Sequence, residues 1–560
     1  MPPLGNTSDF VIIGGVATGP KTAATLARRL PNASITLFEK TRYLSYASCG
    51  MPYFASGDLN RFEELTATAY GLPRDEQFFA ATRGFSVLTG AEVIAIDRRR
   101  KIVQVKREGE SKIIEHGYGK LVLATGSRPA APPFPVSQSP RIRTFTRPDD
   151  AIVFRQFAEQ GKIGTAVIVG AGYIGCEMAE AVGGLWGIET LLVEKEPHVL
   201  STTLDSDMSC LVERHLKEKG IELRLRCAVN RIEGGQDGAT VHLPGGESRA
   251  ADFVMLCLGV VPETTLARAC GLEVGSTGAI AVDDHFRTSD SDIYAGGDCA
   301  ELTHRLTGEK VYLPLGSLAN RHGWIIAENL AENSISYPGV LGSFLVKVFD
   351  LSIGGVGLNS RAAERAARKP AAVCGTFADR PDFYPESKTV MLKMIYDKHD
   401  GRLLGLQAVG AGDIARRVDV FSSFLHFGGT ADDLLRFEHG YAPPYNEAVD
   451  PLHHVAAMVA AQRRGVKFSG PGDIAQQAGA DAIWVDVREK GEQQEKPLSR
   501  PEVVAVPLSQ LRAEMARLPK DRTIILVCQR GGRAYQAAVM LRDAGFTQVI
   551  VLGGGKAMLE

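Results

Sequence analysis

Short apolar runs alternate with helical stretches along the first half of the chain. Residues Asp9 to Ile13 are an apolar run that leads into a glycine-rich turn, a helical stretch from Lys21 to Leu30, and a second apolar run from Ser34 to Phe38 that ends at Glu39. This order of strand, glycine turn, helix, strand and acid predicts a dinucleotide-binding unit. Its glycines let backbone N–H groups approach a pyrophosphate, and its acid accepts hydrogen bonds from a ribose. The predicted nucleotide contacts are Gly14, Gly15, Ala17, Gly19, Glu39 and Lys40.

The same pattern recurs further along the chain. An apolar run from Thr165 to Val169 precedes a full GxGxxG motif, and a further run from Glu189 to Val193 ends at Glu194. Val16 replaces the middle glycine of the first motif, so that turn alone is a weak signal, but two units in one chain imply two nucleotides. Glu194 suits a ribose 2′-hydroxyl and favours NADH, while Lys195 leaves NADPH open. The second set of predicted nucleotide contacts is Gly170, Gly172, Tyr173, Ile174, Gly175 and Glu194.

The pattern changes in the last third of the chain. From about Tyr337 to His454, short strands alternate with turns. Residues 461–472 are basic and then carry glycine and proline, which predicts a linker. Beyond the linker, a strand from Arg522 to Val527 ends at Cys528 and is followed by glycines, Arg533 and a helical stretch. These elements predict an α/β protein of several domains.

The composition is that of an ordinary globular protein. The chain has 560 residues, of which 44% are hydrophobic and 23% charged, and a formal net charge of −2. A net charge this close to zero provides no overall positive potential to attract nucleic acid or an anionic membrane, so we expect neither partner. No apolar run approaches the roughly 20 residues of a membrane-spanning helix, and no secretory leader is evident. Nine scattered cysteines without a CxxC pair predict neither a disulfide framework nor a metal site, which favours a reducing cytoplasm.

One cysteine is notable for its position. Cys49 lies in the run from Ser45 to Tyr53, after the first nucleotide unit and before the helix-breaking pair Gly50 and Pro52. Since no second thiol follows within this run, a redox-active Cys49 has to work alone and pair with sulfur from a substrate. A helix N-terminus can activate such a thiolate. A buried structural cysteine is the alternative.

With these motifs the chain resembles the FAD-dependent pyridine nucleotide-disulfide reductases and, more narrowly, their single-cysteine branch, which reduces coenzyme A disulfide or persulfides. The resemblance implies that FAD binds the first unit and a nicotinamide nucleotide binds the second. Ala17 stands where related NADH oxidases and peroxidases carry a histidine, which argues against peroxide chemistry. Ser48 stands where the family often has asparagine before its cysteine. The further nucleotide contacts that the resemblance implies are Ala124, Thr125, Gly126, Gly259, Gly297 and Asp298.

The same resemblance implies a coenzyme A site and a homodimer. The region 336–460 is similar to the family's dimerisation domain. Tyr441 and Tyr384 match family tyrosines, and a phenol can donate a proton to a leaving thiolate. Core aromatic packing is the alternative for both tyrosines, and solvated helix charge is the alternative for Lys21. The implied coenzyme A contacts are Lys21, Arg28, Ser45, Asn320 and Arg321.

The C-terminal unit resembles a rhodanese domain. Asp481 to Glu489 is similar to the opening of that domain, and Cys528 to Arg533 is similar to its active-site loop. The resemblance implies that loop amides and Arg533 stabilise a persulfide anion on Cys528. The stretch from Glu492 to Val506 lacks the GHI-type run that usually follows the opening.

Pattern and resemblance together predict an α/β fold with four domains. Two are Rossmann-like dinucleotide-binding domains for FAD and NAD, the third is an α+β dimerisation domain, and the fourth is a rhodanese-like α/β domain. The predicted boundaries are 1–145 with 276–335 for FAD, 146–275 for NAD(P)H, 336–460 for dimerisation, 461–472 for the linker and 473–560 for the rhodanese-like domain.

We therefore expect an NADH-dependent FAD flavoprotein that reduces coenzyme A persulfide, polysulfide or coenzyme A disulfide at Cys49. Tyr441 of the partner subunit protonates the leaving group, and coenzyme A acts as a substrate or as a bound carrier that moves sulfur from Cys528 to Cys49. The alternatives are an NADH oxidase and an electron-transfer flavoprotein reductase with a sulfur-carrier tail. The sequence leaves open whether the substrate is a disulfide, coenzyme A persulfide, glutathione persulfide or polysulfide.

Overall fold

The computed structural model describes residues 7–479, 481–500 and 502–559, which form two compact units. The first unit runs to Lys195 and resumes with Cys227–Val340, and the second comprises Glu196–Arg226 and the chain from Leu341 onward. Within the described residues, no helix combines the length and apolar character that crossing a bilayer requires.

A mixed sheet carries the first predicted nucleotide unit. Its elements are β1 (Thr7–Ile13), α1 (Thr18–Arg29), β2 (Ile35–Phe38), α2 (Met51–Ser56), α3 (Glu76–Arg83), β3 (Ser86–Leu88), β4 (Ala91–Asp97), β5 (Ile102–Arg107) and β6 (Ile113–Leu123). The strands lie in the order β3-β2-β1-β6-β5-β4. The parallel strands β1 and β2 are rich in apolar residues, as strands covered on both faces require. Helix α1 begins three residues before the predicted start, because Pro20 is tolerated in a first turn, where N–H groups have no intrahelical acceptor.

A second parallel sheet carries the second predicted unit. The elements that follow are β7 (Ser127–Pro129), β8 (Ile142–Arg143), α4 (Pro148–Glu159), β9 (Thr165–Val169), α5 (Tyr173–Ala179), β10 (Glu189–Val193), α6 (Ser206–Glu218), β11 (Glu222–Arg224), β12 (Arg231–Gly234), β13 (Ala239–His242), β14 (Ser248–Ala251), β15 (Phe253–Leu256), β16 (Val260–Pro262), α7 (Thr265–Ala269), β17 (Ile293–Ala295), β18 (Leu302–Thr303), β19 (Lys310–Val311) and α8 (Gly316–Leu330). In the first unit, β10, β9, β15 and β8 lie side by side in that order. Strand β17 pairs with the end of β6, so the chain returns to the first sheet.

The ends of the central strands are aligned in both sheets. In the first sheet, the last residues of β1, β2, β6 and β17 are in register. In the second sheet, the last residues of β9, β10 and β15 are in register. Both glycine turns and both acids directly follow these strands, which is the edge at which α/β sheets bind ligands.

An antiparallel sheet in the order β20-β21-β24-β23-β22 forms the first part of the second unit. Its elements are β20 (Phe344–Val348), β21 (Leu351–Gly357), α9 (Ser360–Arg365), β22 (Pro370–Ala378), β23 (Thr389–Asp397), β24 (Leu403–Gly410), α10 (Ala415–His426), α11 (Ala431–Arg436) and α12 (Pro451–Arg463). The buried ammonium of Lys393 on β23 lies 2.9 Å from Asp205 and 2.8 Å from Asp207. This charge cluster fastens the segment around α6 to the sheet.

A parallel sheet in the order β25-β29-β28-β26-β27 ends the chain. Its elements are β25 (Lys467–Ser469), α13 (Ile474–Ala478), β26 (Ile483–Asp486), α14 (Lys490–Glu495), β27 (Val503–Ala505), α15 (Leu511–Glu514), β28 (Ile524–Val527), α16 (Gly532–Asp543) and β29 (Val549–Leu552). The range predicted as a linker, 461–472, contains the end of α12 and all of β25. Phe468 is buried there because β25 pairs with β29. The domain boundaries stay predictions.

Candidate active site

The first glycine turn is shaped by close backbone packing. Gly14 has a φ of +111°, and a Cβ at this position would lie 2.1 Å from the carbonyl oxygen of Ala124. A Cβ on Gly19 would lie 1.9 Å from the carbonyl oxygen of Gly14. Neither position admits a side chain without moving the backbone, so β1, β6 and the start of α1 meet at this turn.

The acid at the end of β2 is bound to the same turn. Glu39 is buried, and its Oε2 accepts a hydrogen bond of 2.7 Å from the backbone N–H of Gly15. Its Oε1 accepts 2.8 Å bonds from the backbone N–H and the hydroxyl of Thr41. A carboxylate has about four acceptor sites, so capacity remains for a ribose hydroxyl. Lys40, the next residue, is exposed.

The second turn repeats this geometry. Gly170 has a φ of +102°, and a Cβ there would lie 2.4 Å from the carbonyl oxygen of Cys257. A Cβ on Gly175 would lie 1.9 Å from the carbonyl oxygen of Gly170. The backbone N–H of Ala171 donates a 2.7 Å hydrogen bond to Oε2 of Glu194.

The two turns differ at their middle position. A Cβ on Gly172 would meet no atom within 4 Å, so the second turn is open at this position, whereas the first turn carries Val16. Tyr173 and Ile174 begin α5 directly after this opening. The glycine spacing, the open position and the acids together fit two dinucleotides.

The predicted second flavin motif lies beside the first sheet. The backbone N–H of Gly297 donates a 3.1 Å hydrogen bond to Nδ1 of His322. The carboxylate of Asp298 accepts a 3.3 Å bond from the hydroxyl of Ser127, and burial raises its pKa. A half-buried carboxylate held by such a long bond gains from further hydroxyl donors, which fits the ribityl chain of a flavin.

The chain leaves the first sheet through the predicted Ala-Thr-Gly element. The backbone N–H of Ala124 donates a 2.8 Å hydrogen bond to the carbonyl of Ile13, and the hydroxyl of Thr125 donates a 2.7 Å bond to the carbonyl of Glu263. The carbonyl of Gly126 accepts a 2.9 Å bond from the N–H of Glu263. Gly259 lies on the neighbouring connection, where its carbonyl accepts a 3.0 Å bond from Ala130.

The segment that carries Cys49 is tied to the first glycine turn. The backbone N–H of Ser45 donates a 2.7 Å hydrogen bond to the carbonyl of Gly15, and Ser45 has a left-handed φ of +49°. Cys49 then lies in one 3-10 turn, Ser48–Gly50, immediately before α2. The nucleotide turn therefore helps to set the position of the cysteine.

The sulfur of Cys49 faces the beginning of α8. A Cβ on Gly316, the first residue of that helix, would lie 3.5 Å from the Cys49 sulfur. A helix N-terminus favours a thiolate. Cys49 is exposed as a residue, but the protein around its sulfur displaces water, and this burial raises the pKa of the thiol. The carboxylates of Glu177 and Asp298 raise that pKa further.

Glu177 is a candidate site residue that the sequence reasoning did not assign. It lies on α5, which packs against α2, and burial, with a smaller contribution from Glu180, raises the pKa of Glu177 to about 7. The available signal was an acid on the helix directly after the second glycine turn. No local sequence pattern shows that α5 lies near Cys49, because this depends on the packing of α5 against α2, which is distant in the sequence.

Four of the five predicted coenzyme A contacts lie on two helices that pack side by side, and the fifth, Ser45, lies in the segment before Cys49. Helix α8 starts beside Cys49 and then passes Lys21, since a Cβ on Gly323 would lie 2.9 Å from Cβ of Lys21. The side-chain amide of Asn320 donates a 3.0 Å bond to the carbonyl of Gly316. On α1, the guanidinium of Arg28 lies 3.2 Å from the hydroxyl of Thr25. The exposed candidates on these helices are Lys21, Arg28, Asn320 and Arg321.

In the second unit, one buried guanidinium connects the loops that carry both predicted tyrosines. Arg417 donates hydrogen bonds of 2.9 Å to the carbonyl of Asp379 and 2.9 Å to the carboxylate of Asp450. The first bond holds the turn that carries half-buried Tyr384, and the second holds the end of the loop that carries Tyr441, which is 52% exposed. Arg417 has no local sequence signal, because its partners come from separate parts of the chain.

Cys528 follows β28 and is buried at the start of the predicted rhodanese loop. The backbone N–H of Gly531 donates to its sulfur at 3.0 Å, and its carbonyl accepts a 2.8 Å bond from the N–H of Lys556. Helix α16 begins at Gly532. The loop is therefore held on both sides of the sulfur.

The two arginines of this loop are paired with acids of the second unit. Arg533 forms a two-point ion pair with Glu492 on α14, with one distance of 2.7 Å. Arg530 donates to the two oxygens of Asp382 at 2.9 and 3.1 Å. Since Asp382 lies in the turn that carries Tyr384, the structure joins that turn to the Cys528 loop. Neither pair could be predicted from the sequence, because each joins residues that lie far apart in the chain.

Comparisons with known proteins agree with this geometry. A family model described as pyridine nucleotide-disulphide oxidoreductase matches residues 8–323, and the dimerisation domain of that family matches residues 344–453. A rhodanese-like domain matches residues 472–557. The chain belongs to the pyridine nucleotide-disulphide oxidoreductase family, which implies FAD and NAD(P)H as cofactors. The predicted fold class and family are confirmed.

Individual relatives match most of this chain. The NAD(P)H sulfur oxidoreductase (CoA-dependent) of Pyrococcus abyssi is 35% identical over 449 residues, covering 80% of this chain and 97% of that protein. The structure of an NAD-dependent persulfide reductase from A. fulgidus has a TM-score of 0.94 at 36% identity, covering 98% of this chain and 100% of that chain. Reduced CoADR-RHD of Bacillus anthracis has a TM-score of 0.91 at 29% identity, covering 99% and 97%.

We expect Glu177→Gln to make Cys49 more reactive toward iodoacetamide, because removing this negative charge lowers the pKa of the thiol. Since the pKa of Glu177 is about 7, its carboxyl group is largely neutral at lower pH. Alkylation rates, followed by mass spectrometry of the Cys49 peptide, should be similar at about pH 6 and differ severalfold at about pH 8.5. Glu189→Gln, an exposed change on β10, serves as the control. Equal alkylation rates for Glu177→Gln and the wild type at both pH values would show that Glu177 does not influence Cys49.

Proposed function

We propose that the protein is an NADH-dependent FAD flavoprotein that reduces coenzyme A persulfide, polysulfide or coenzyme A disulfide through Cys49. The observation that carries this proposal is the position of Cys49, whose segment is bonded to the first nucleotide turn and whose thiol is within electrostatic reach of Asp298 and Glu177. When bound, the flavin supplies the two-electron link between a nicotinamide and a sulfur centre. The names of the relatives support a coenzyme A-linked sulfur substrate.

The proposed chemistry on Cys49 is thiol–disulfide exchange followed by reduction. The Cys49 thiolate attacks the coenzyme A sulfur, an S–S bond forms between them, and the other half of the substrate leaves as a thiolate or as hydrosulfide. The leaving group takes one proton, and two electrons from NADH then cleave the mixed disulfide to release coenzyme A and restore the Cys49 thiolate. The N-terminus of α8 favours the Cys49 thiolate both before it attacks the substrate and after the mixed disulfide is cleaved.

We place coenzyme A along the exposed edge of α1 and α8, where Arg28 and Lys21 supply positive charge for its phosphates. Ser45, Asn320 and Arg321 are the remaining proposed contacts. The protein is proposed to act as a homodimer in the cytoplasm, with Tyr441 of the partner subunit as the proton donor and Tyr384 as a second tyrosine of the site. The match to the family's dimerisation domain supports the homodimer.

Cys528 is proposed to accept sulfane sulfur that coenzyme A then carries to Cys49. The support is the geometry of its loop, in which a backbone N–H already points at the sulfur and a helix begins four residues later. A persulfide anion is stabilised by such donors.

The central experiment is Cys49→Ser. NADH oxidation with coenzyme A disulfide should fall by about 100-fold or more, since no other nucleophile replaces the thiolate. The rate at which NADH reduces the flavin, measured as loss of the flavin's visible absorbance, should stay near that of the wild type. Cys210→Ser, which changes an exposed cysteine on α6, should leave both rates unchanged. Wild-type turnover in Cys49→Ser would instead favour electron transfer to a protein partner.

NADH should be used better than NADPH. The carboxylate of Glu194 stands at the end of β10, and a 2′-phosphate near it costs about 1–3 kcal/mol, or roughly tenfold or more in kcat/KM. Glu194→Gln keeps an acceptor for the N–H of Ala171 and should reduce the preference for NADH over NADPH. The control Glu189→Gln should leave that preference unchanged. Equal kcat/KM values for the two nucleotides in the wild type would show that a cation such as Lys195 compensates for the acid.

Cys528→Ser should separate the two sulfur sites. Because coenzyme A disulfide needs only Cys49, its reduction should survive this change. Thiosulfate sulfurtransferase activity should be lost, and the reduction of bulky or polymeric persulfides should slow. Steady-state NADH oxidation with each substrate makes the comparison. Wild-type rates with every persulfide would reject the relay and leave the C-terminal domain as an independent sulfurtransferase.

A further inference from the structure

The Cys528 loop carries two arginines, and each is compensated by a carboxylate. Arginines in a loop of this kind are suited to holding an anionic substrate through paired hydrogen bonds. Here Arg533 is engaged by Glu492 through both terminal nitrogens, and Arg530 is engaged by both oxygens of Asp382. An incoming anion therefore finds these two positive charges already paired.

The pair between Glu492 and Arg533 is the more consequential of the two. Its side chains are 38% and 31% exposed, whereas Asp382 and Arg530 are 69% and 41% exposed and are more strongly screened by water. Hydrogen bonds from Arg533 lower the pKa of Glu492 to about 2, so the acid stays ionised at any ordinary pH. Arg533 is the second residue of α16, and Gly531, just before that helix, donates its N–H to the Cys528 sulfur at 3.0 Å, so the pair belongs to the loop that holds the sulfur.

This arrangement discriminates between sulfur donors by charge. Thiosulfate carries two negative charges and has to bring them to Cys528, where Glu492 already neutralises the charge of Arg533. An organic persulfide in its protonated form, RSSH, brings no charge on its reacting sulfur. Electrostatic complementarity therefore favours the persulfide, because the carboxylate cancels the positive charge that would otherwise attract the oxyanion.

Resting on the sulfur-carrier role proposed above for Cys528, we infer that Glu492 is a specificity-determining residue that selects organic persulfides over sulfur oxyanions such as thiosulfate. The Cys528 thiolate attacks the outer sulfur of RSSH, a new S–S bond forms at Cys528, and the bond to the inner sulfur breaks. The thiolate RS⁻ leaves and takes the proton from the new persulfide. The products are RSH and the Cys528 persulfide anion, and no external oxidant or reductant is needed.

The geometry also provides a conservative variant. Glu492 closes the first turn of α14 by accepting a 3.0 Å hydrogen bond from the backbone N–H of Glu489. Glutamine is an accepted residue at this position of a helix, so Glu492→Gln keeps the cap and removes only the charge. Glu492→Asp keeps the charge and shortens the side chain. Glu495→Gln removes an exposed charge from the same helix and is the matched control.

The test measures sulfur loading of Cys528 in the full-length protein, without NADH, by rapid quench and mass spectrometry of the Cys528 peptide. The donors are thiosulfate and glutathione persulfide, and the quantity compared is the ratio of their loading rates. Glu492→Gln should raise the thiosulfate-to-persulfide ratio by about tenfold. Glu492→Asp and Glu495→Gln should keep the wild-type ratio.

The outcomes separate this inference from the proposed function. A ratio in Glu492→Gln within about twofold of the wild type overturns the role of Glu492. An equal rise in Glu492→Asp and Glu492→Gln also overturns it, because the effect would then follow geometry and not charge. If neither donor loads Cys528 in the wild type, the carrier role fails and this inference fails with it, whereas persulfide loading with an unchanged ratio rejects only the inference.

Discussion

The close backbone packing at Gly14 and Gly15 is the constraint on which the first unit depends. A Cβ at Gly14 would overlap the carbonyl of Ala124, so only glycine lets β1 turn here against the end of β6. The next residue, Gly15, uses its N–H to hold Glu39 and its carbonyl to hold Ser45. One turn thus positions both Glu39, the predicted ribose contact, and the segment that leads to Cys49.

In the second unit, the buried charge of Arg417 positions loops as the glycine turn does in the first unit. Arg417 holds the turn of Tyr384 and the loop of Tyr441 through hydrogen bonds that would be costly to leave unmade in a buried site. The Tyr384 turn is joined through Asp382 to the loop of Cys528. The loops proposed to serve proton transfer and sulfur loading are therefore positioned by linked polar contacts and not by apolar packing alone.

Much of the fold could be predicted from the sequence because its signals are local. Thr165–Val169 and Glu189–Val193 are strands with the predicted bounds, since an uninterrupted apolar run before a glycine motif leaves little choice of structure. The start of α1 was misplaced because Pro20 reads as a helix breaker but is tolerated in a first turn. Residues 461–472 were read by their glycine and proline content, although Val466 and Phe468 are buried.

The site was predictable only in part. Cys49 and Cys528 could be proposed as site residues from the sequence because each stands in a recognisable local motif. The approach of Gly316 and Glu177 to Cys49, and of Glu492 to Arg533, joins residues far apart in the chain, and no local pattern encodes such contacts.

The most direct measurement of the central claim is the covalent state of Cys49 during turnover. The enzyme would be reduced with NADH, mixed with coenzyme A disulfide, quenched in acid, and digested for mass spectrometry. The account predicts a mixed disulfide with coenzyme A on Cys49 that disappears when more NADH is added. Continued turnover with Cys49 unmodified at every quench time, or with coenzyme A attached to a different cysteine, would contradict it.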